Sequence, residues 1–266
     1  MEYILVRKQI ESIANADLAD IDWLFCEVLN VKRSMLVTNP TINKKQYKLL
    51  LKYAKRLQKG MPLSVALGKT EFYGLPFYVN KHILTPRPET EELTEYVINQ
   101  IATKPNIKVL DLCCGSGAIG IAIAKNTTAS VTSVDISLKA IRITQKNAKV
   151  NGVKIKTIRS NMLKKVFGNY DYIVCNPPYI AYGDTNVQQS VHNWEPHLAL
   201  YATDNGYYFY KYLAQNVGIY MLSGSKLYLE VGQNMAPNVA QLFSDFSKTE
   251  IIKDMQGIQR IVVVTK

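Results

Sequence analysis

The stretch VLDLCCGSGAIGIAIA, residues 109–124, decides the fold of this chain. An apolar run ends in a glycine-rich turn, and the turn leads into an apolar helix. Gly115 and Gly117 allow a tight backbone and let a ligand approach the N-terminus of that helix closely. The stretch therefore predicts a strand–turn–helix unit that binds a nucleotide-like ligand.

Short β-rich runs around and after this stretch extend the pattern. They are KVLDL, SVTSVD, KIKTIR, YDYIVC, SKLYLEV and GIQRIVVVTK, and helical stretches lie between the first ones. Strands that alternate with helices form βαβ units and a largely parallel sheet. We therefore predict an α/β, Rossmann-like fold. Asp135 ends the second of these strands, 18 positions past Gly117, where an acid binds ribose hydroxyls.

Two kinds of nucleotide ligand fit the turn. Read from Gly115, GSGAIG has the G-x-G-x-x-G spacing of a dinucleotide site, which a dehydrogenase would use. Asp111 precedes the turn, and a carboxylate there suits a cationic ligand with an ammonium and a sulfonium better than a pyrophosphate. The D-x-x-x-G-x-G arrangement resembles the loop of the Rossmann-like S-adenosylmethionine methyltransferases, whose commonest form has glycine where Cys113 stands. We expect Cys113 not to adopt positive φ freely, and we interpret Cys113 and Cys114 as small buried residues.

The second informative stretch is YDYIVCNPPYI, residues 170–180. Its strand is the fourth of the sheet, and ligands of such sheets bind beyond the carboxyl ends of the strands. The side-chain carbonyl of Asn176 and the rigidly held backbone carbonyl of Pro177 can accept the two N–H bonds of a planar NH2 group. The ring of Tyr179 can stack on that group. The stretch predicts methylation of a planar NH2 group, and adenine, cytosine, guanine and glutamine all remain possible acceptors.

The N-terminal part of the chain has a different composition. Residues 1–70 have helical periodicity, with Asp17 as a predicted N-cap and Gly60 as the end of a second helix. Residues 71–84 predict a β-hairpin around Gly74, and residues 85–266 form the predicted catalytic domain. Ten Lys or Arg and no Asp or Glu lie between Lys32 and Lys69 in a chain of net charge +11. Such a face attracts nucleic acid, a ribosome or an acidic protein, or is simply a solvated helix face.

The spacing of the cysteines and histidines indicates whether the chain binds a metal, forms disulfides or lies in a reducing compartment. The four cysteines include one adjacent pair and no CxxC, which argues against zinc and against a disulfide framework and favours a reducing compartment. The three histidines have no ligand-like spacing, so no metal is expected. No apolar run reaches the length of a membrane span, and the start lacks a signal-peptide pattern. We expect a cytoplasmic protein that needs no membrane.

The segment before the glycine loop gives the closest resemblance. GMPL, EFYGL and PRPETE, at residues 60–63, 71–75 and 86–91, resemble the segment that precedes the catalytic domain of the peptide chain release factor glutamine methyltransferases, the HemK/PrmC family. The resemblance continues through VDIS, NPPYI, WEPHLAL, LYLEVG and KDMQGIQRIVVV, and spans residues 57–264. The first fifty residues are similar only in being helical. The P-R-P-E-T-E segment distinguishes this family from the nucleic-acid amino methyltransferases that share N-P-P-Y.

The resemblance implies a seven-stranded sheet with one antiparallel strand, with S-adenosyl-L-methionine as cofactor and S-adenosyl-L-homocysteine as product. It implies methyl transfer to the amide nitrogen (N5) of the glutamine in the Gly-Gly-Gln motif of release factors, which are the expected partners, held by the helical domain. The implied cofactor residues are Asp111, Cys113, Cys114, Gly115, Ser116, Gly117, Asp135, Asn161, Met162 and Asn176. The implied substrate residues are Asn176, Pro177, Pro178 and Tyr179, of which Asn176, Pro177 and Tyr179 are the catalytic candidates.

Four further interpretations stay open at this point. The family usually has Asp where Asn161 stands, so we expect weaker acceptance from the adenine amino group. Glu195 can be a general base, but we favour a structural role because the reaction needs no strong base. An RNA or DNA amino methyltransferase is the main alternative function, although direct nucleic-acid binding is not required. A dehydrogenase or a silent nucleotide-binding module is the second alternative.

Overall fold

The computed structural model describes residues 1–266 and divides them into two units. The first comprises Met1–Lys69 and Val187–Trp194, and the second comprises Thr70–Asn186 and Glu195–Lys266. Val187–Trp194, which lies inside the predicted catalytic range 85–266, therefore belongs to the helical unit.

The helices and strands are numbered in chain order. The α-helices are α1 (Tyr3–Ala14), α2 (Leu18–Leu29), α3 (Lys44–Leu57), α4 (Leu63–Leu67), α5 (Pro88–Ile101), α6 (Ala118–Asn126), α7 (Leu138–Val150), α8 (Gln189–Trp194), α9 (His197–Leu200), α10 (Tyr208–Asn216) and α11 (Ala236–Leu242). The strands are β1 (Lys69–Phe72), β2 (Leu75–Tyr78), β3 (Lys108–Leu112), β4 (Ser130–Asp135), β5 (Lys156–Arg159), β6 (Tyr170–Cys175), β7 (Ile180–Ala181), β8 (Tyr201–Ala202), β9 (Met221–Glu230), β10 (Lys248–Lys253) and β11 (Gln259–Thr265). Short 3₁₀ helices cover Arg33–Thr38, Met162–Lys165, Asp204–Gly206 and Val217–Tyr220.

The first unit is a small helical bundle. Its core comes from one apolar stripe on each of α1, α2 and α3, and it includes the fully buried Ile10, Ile21, Phe25 and Leu50. Asn43 begins α3 with a reciprocal capping box, which satisfies two backbone donors at that end. Asp17 begins α2 as predicted, but its side chain accepts no capping hydrogen bond.

The second unit is built on a seven-stranded sheet in the order β10-β11-β9-β6-β3-β4-β5. Strand β11 runs antiparallel to both β9 and β10, and all other neighbouring pairs are parallel. The predicted Rossmann-like fold with one antiparallel strand is confirmed. Strand β10 was not predicted from the sequence, because none of its residues is buried and its burial does not alternate.

The hairpin predicted around Gly74 is present as β1 and β2. Tyr73 and Gly74 at its turn both have positive φ, as a two-residue turn requires. Phe72 and Phe77 are fully buried against α6 and α7. Asn147 on α7 binds both backbone groups of Tyr78, at 2.8 and 3.1 Å, so the hairpin is fixed to the sheet unit.

Candidate active site

A cavity of about 510 Å³ lies at the carboxyl ends of the central parallel strands. The loops that follow β3, β4, β5 and β6 all contribute to its walls, together with the segment before α5. Of the residues predicted from the sequence, those on the cavity wall are Cys113, Cys114, Gly115, Ser116, Asp135, Asn161, Met162, Asn176 and Pro178. Asp111, Gly117, Pro177 and Tyr179 are not among the residues that line the cavity. The doubly wound sheet thus brings together four loops that are far apart in the sequence.

The glycine loop after β3 has a strongly curved backbone. Gly115 and Gly117 have φ of 55° and 80°, and Cys113 has φ of 58°. The expectation that Cys113 would avoid positive φ was wrong. Sequence reasoning considered only the cost at Cβ, whereas Cys113 packs with the large core cluster beneath the sheet, and such packing can hold a residue in this region.

Polar side chains of α7 fix the shape of the loop from outside. Thr144 Oγ1 donates to the Gly115 carbonyl at 3.1 Å, and Asn147 Nδ2 donates to the Ser116 carbonyl at 2.9 Å. A Cβ on Gly117 would lie 2.6 Å from Thr144 Cγ2. Gly117 therefore lets α7 pack closely against the loop rather than touching a ligand itself.

Asp135 ends β4 on the cavity wall. Its Oδ2 accepts from the Gly115 backbone N–H at 2.9 Å, and its Oδ1 accepts from the Ser137 N–H at 2.8 Å. Burial raises the pKa of this carboxyl, and the two N–H donors partly oppose the rise. Because the carboxylate is held from both sides, it presents a fixed acceptor to a diol in the cavity.

Asp111 is placed differently from the sequence expectation. Its side chain is fully buried, and its Oδ2 accepts from the Gly120 N–H at 3.2 Å and from Ser133 Oγ at 3.0 Å. Its Oδ1 is buried without a hydrogen-bond partner, and burial raises the pKa of Asp111 to about 7. Asp111 therefore supports the first turn of α6 from behind and does not reach the cavity wall.

The far end of the cavity is apolar. Asn161 is exposed and precedes Met162, which is buried with φ of 47°. The Met162 sulfur lies 3.7 Å from the Cys113 sulfur. Ile136 and Leu138 are unusually exposed for their type and line the same region. A flat heteroaromatic ring fits between such soft apolar side chains.

The loop after β6 is fixed by residues from distant parts of the chain. Asn176 Nδ2 donates to Thr90 Oγ1 at 3.2 Å, and Thr90 Oγ1 donates to Glu230 Oε2 at 2.7 Å. Pro177 and Pro178 are buried. Burial also raises the pKa of Tyr179 well above its ordinary value, so its phenol is neutral. The loop is rigid, and one end of the Asn176 amide is already bound.

Comparison with known proteins agrees with this geometry. The family model "Methyltransferase small domain" matches residues 89–194, and the "PrmC N-terminal domain" model matches residues 6–68. A release factor glutamine methyltransferase of Flavobacterium psychrophilum is 37% identical over 88% of this chain and 86% of its own. The one of Lactococcus lactis is 33% identical over 94% of this chain and 96% of its own. This chain belongs to the release factor glutamine methyltransferase family. The family predicted from the sequence is therefore confirmed.

Solved structures of other methyltransferases share the fold of this family member. A methyltransferase from Pyrococcus furiosus has a TM-score of 0.56 at 14% identity, over 85% of this chain and 99% of that one. A 16S rRNA methyltransferase from T. thermophilus, in complex with AdoMet and guanosine, has a TM-score of 0.53 at 18% identity, over 74% and 49%. At these identities the likeness concerns the fold alone.

The P-R-P-E-T-E segment of this methyltransferase contributes to the cavity wall through Pro86, Arg87 and Thr90. Arg87 Nη2 binds Glu195 Oε2 at 2.7 Å, and the Glu195 side chain is fully buried. Burial raises the pKa of Glu195, and Arg87 opposes the rise. Glu91 accepts from the Tyr73 backbone N–H at 2.8 Å. These contacts support the structural interpretation of Glu195, since its carboxylate anchors the segment rather than facing a substrate.

Sequence reasoning missed the part that Glu230 plays beside Thr90 of the P-R-P-E-T-E segment. Both residues are buried, with 3% and 4% of their surface exposed. The available signal was an acid at the end of the apolar run SKLYLEV. A carboxylate in a buried strand needs a partner, and here the partner is the hydroxyl that also binds Asn176.

No group of acidic, histidine and cysteine side chains in the methyltransferase has the arrangement of a metal site. None of its helices has both the length and the apolar character of a bilayer span.

Proposed function

We propose that this enzyme transfers a methyl group from S-adenosylmethionine to the side-chain amide nitrogen of the glutamine in the Gly-Gly-Gln motif of release factors. One observation carries the proposal. Asn176 stands on the cavity wall, its Nδ2 is bound to Thr90, and its Oδ1 is thereby directed to accept from an incoming amide. Membership of the release factor glutamine methyltransferase family supports this acceptor over a nucleobase.

The residues around the cavity fit S-adenosylmethionine. The cavity volume of about 510 Å³ suits a nucleoside that carries an amino acid. We propose that Asp135 accepts from the ribose hydroxyls, that Met162, Ile136 and Leu138 enclose the adenine, and that Asn161 accepts from its amino group. The backbone of residues 113–116 surrounds the methionine part, and Gly117 shapes the loop from behind. Asp111 acts from behind this loop, through its field on the backbone and the cationic ligand.

The acceptor amide needs help because its nitrogen lone pair is delocalised. Asn176 Oδ1 and the Pro177 carbonyl accept its two N–H bonds, which orients the nitrogen and stabilises the positive charge that develops on it. Tyr179 packs behind the loop and keeps it rigid. S-Adenosylmethionine supplies a methyl group on a sulfonium, whose sulfur leaves with the bonding electron pair. The nitrogen gains the methyl and then loses a proton to water, so no buried base is required.

We propose that the helical unit binds the body of the release factor. We propose residues 1–70 as the recognition domain, 71–84 as the linker and 85–266 as the catalytic domain, from which Val187–Trp194 returns to the helical unit. Lys44, Lys48, Lys52 and Lys55 are exposed at helical spacing on α3. Such a face attracts an acidic partner and accelerates its association. Release factors act in translation, and we place the enzyme in the cytoplasm accordingly.

Mass spectrometry of a release factor purified from cells that lack this enzyme tests the proposal. We expect one added methyl on the Gly-Gly-Gln glutamine after incubation with S-adenosylmethionine. The matched control is the same release factor with this glutamine replaced by glutamate, and the enzyme control is Asn176→Ala. Both controls should stay unmethylated. Labelled methyl in total RNA, with none in the release factor, would overturn the acceptor and favour the nucleic-acid alternative.

A further inference from the structure

A short line of two hydrogen bonds, one buried and one half-buried, ends at Asn176. It begins at Glu230, the last residue of β9, and passes through Thr90 in the first turn of α5. The Thr90 hydroxyl lies 2.7 Å from Glu230 Oε2 and 3.2 Å from Asn176 Nδ2. Three elements far apart in the sequence thus converge on one side chain of the acceptor loop.

The line has a direction, which the carboxylate sets. An ionised carboxylate only accepts hydrogen bonds, so the single proton of the Thr90 hydroxyl points to Glu230. The Thr90 oxygen then offers only lone pairs to Asn176, and only the NH2 end of the Asn176 amide can bind there. The Asn176 side chain also lowers the pKa of Glu230, as an N–H group near the carboxylate does. The hydrogen bond to Thr90 thus selects one of the two possible amide orientations.

We propose that Glu230 and Thr90 are positioning residues that hold the Asn176 amide with Oδ1, and not Nδ2, toward the acceptor nitrogen. This inference rests on the proposed function, since it concerns the same acceptor. The two ends of an amide have nearly the same shape, so packing alone does not choose between them. A reversed Asn176 would point its own N–H bonds at those of the substrate, and the site would repel the group that it has to bind.

A purely structural role would not need this combination. Thr90 Oγ1 does not cap the helix, because Arg87 occupies the N-cap and no side chain caps there. The helix already has a second buried hydroxyl, Thr94 Oγ1, which donates to the Thr90 carbonyl at 2.8 Å. Burying the Glu230 carboxylate costs free energy. Through Thr90 this carboxylate is linked to Asn176 of the acceptor loop, which a residue needed only for stability would not require.

The charge of Glu230 makes the arrangement sensitive to pH. Burial raises its pKa to about 7, the Glu89 carboxylate of α5 adds to the rise, and Arg260 of β11 opposes it. The neutral phenols of Tyr179 and Tyr210 also face it. Once protonated, Glu230 can donate to Thr90, and the direction of the line is no longer unique. Activity should therefore fall as the pH drops below about 7.

The test compares Thr90→Val, Thr90→Ser and Thr94→Val by steady-state methylation of a release factor. Thr90→Val keeps the shape but leaves Asn176 Nδ2 without its hydroxyl partner, and an unpartnered amide turns toward solvent. We expect kcat to fall about ten-fold or more, while the Kd for S-adenosylmethionine by calorimetry changes less than about three-fold. Thr90→Ser should restore most of the lost kcat. Thr94→Val, which removes a buried hydroxyl of the same helix, is the matched control.

Glu230→Gln supplies a second, independent measurement. Glutamine can donate or accept at this position, so we expect a lower kcat and the loss of the acidic limb from the pH profile. If circular dichroism shows that Thr90→Val is misfolded, the pH profile of Glu230→Gln decides. Unchanged kcat in folded Thr90→Val, or an acidic limb that persists in Glu230→Gln, would overturn the inference. Wild-type enzyme that leaves the release factor unmethylated would instead overturn the proposed function itself.

Discussion

Replacing Gly206 by alanine should push the acceptor loop out of place. Gly206 has φ of 88°, and a Cβ built on it would lie 2.2 Å from the backbone oxygen of Tyr179 and 3.0 Å from its carbonyl carbon. A carbon–oxygen contact needs roughly 1 Å more than this. Because the obstacle is backbone rather than a flexible side chain, the end of the loop that carries Asn176 has to move.

A displacement of about 1 Å at a reacting group costs about 100-fold in rate, which corresponds to about 2.7 kcal/mol at the transition state. Positive φ adds about 1–2 kcal/mol of strain to any alanine variant at such a position, and that part lowers stability rather than catalysis. Gly168 separates the two effects, since it has the same φ of 88° with nothing within 4 Å of a built Cβ.

The assay measures kcat with a release factor, together with unfolding in urea. We expect both Gly206→Ala and Gly168→Ala to lose stability, and only Gly206→Ala to lose about 100-fold in kcat. The reasoning fails if folded Gly206→Ala keeps kcat within about three-fold of wild type, or if Gly168→Ala loses as much. Either result would mean that the loop tolerates displacement or that strain alone controls activity.

Three further changes test other parts of the site. Asp135→Asn should raise the Kd for S-adenosylmethionine by roughly 10–100-fold in calorimetry, because the ribose loses a charged acceptor. An unchanged Kd would mean that this carboxylate only fixes the glycine loop and does not bind the ribose. Lys52→Glu with Lys55→Glu should raise KM for a whole release factor at low salt, and less at about 0.5 M salt, while KM for a Gly-Gly-Gln peptide stays constant. A peptide KM that also rises would refute docking through α3. Asp111 has its pKa raised by burial, so the free energy of unfolding should fall as pH rises from about 4 to about 7. Asp111→Asn should flatten this slope in urea titrations, and an unaltered slope would assign it to other groups.

Much of the fold could be predicted from local patterns. The glycine turn, the β-rich runs and the hairpin around Gly74 each follow from short-range rules about period and backbone freedom. The edge strand β10 could not, because its sequence KTEIIK lacks the strict alternation of apolar and polar residues that indicates a half-buried strand. Val187–Trp194 joins the helical unit, and no local signal marks such a return of the chain.

The positions of candidate site residues could be predicted where these residues directly follow a strand in the sequence. Asp135 and residues 113–116 lie on the cavity wall as expected, since they flank parallel strands directly. Asp111 was expected at the ligand, but long-range contacts with Gly120 and Ser133 bury it behind the loop. Glu230 was missed because its importance depends on a hydroxyl 140 positions away in the sequence.

The acceptor loop depends on the late part of the chain, and this has a consequence for the order of synthesis. Residues 108–162 contain every loop that we assign to the adenosine and the methionine part. The loop after β6, in contrast, is supported by three later residues, Gly206, Glu230 and Gly232. Gly232 packs so closely that a Cβ built on it would lie 3.1 Å from the Tyr179 ring. A nascent chain that ends before these residues has the full set of cofactor loops and an unsupported acceptor loop. The loops that we propose for the methyl donor are therefore synthesised before the residues that support the acceptor loop.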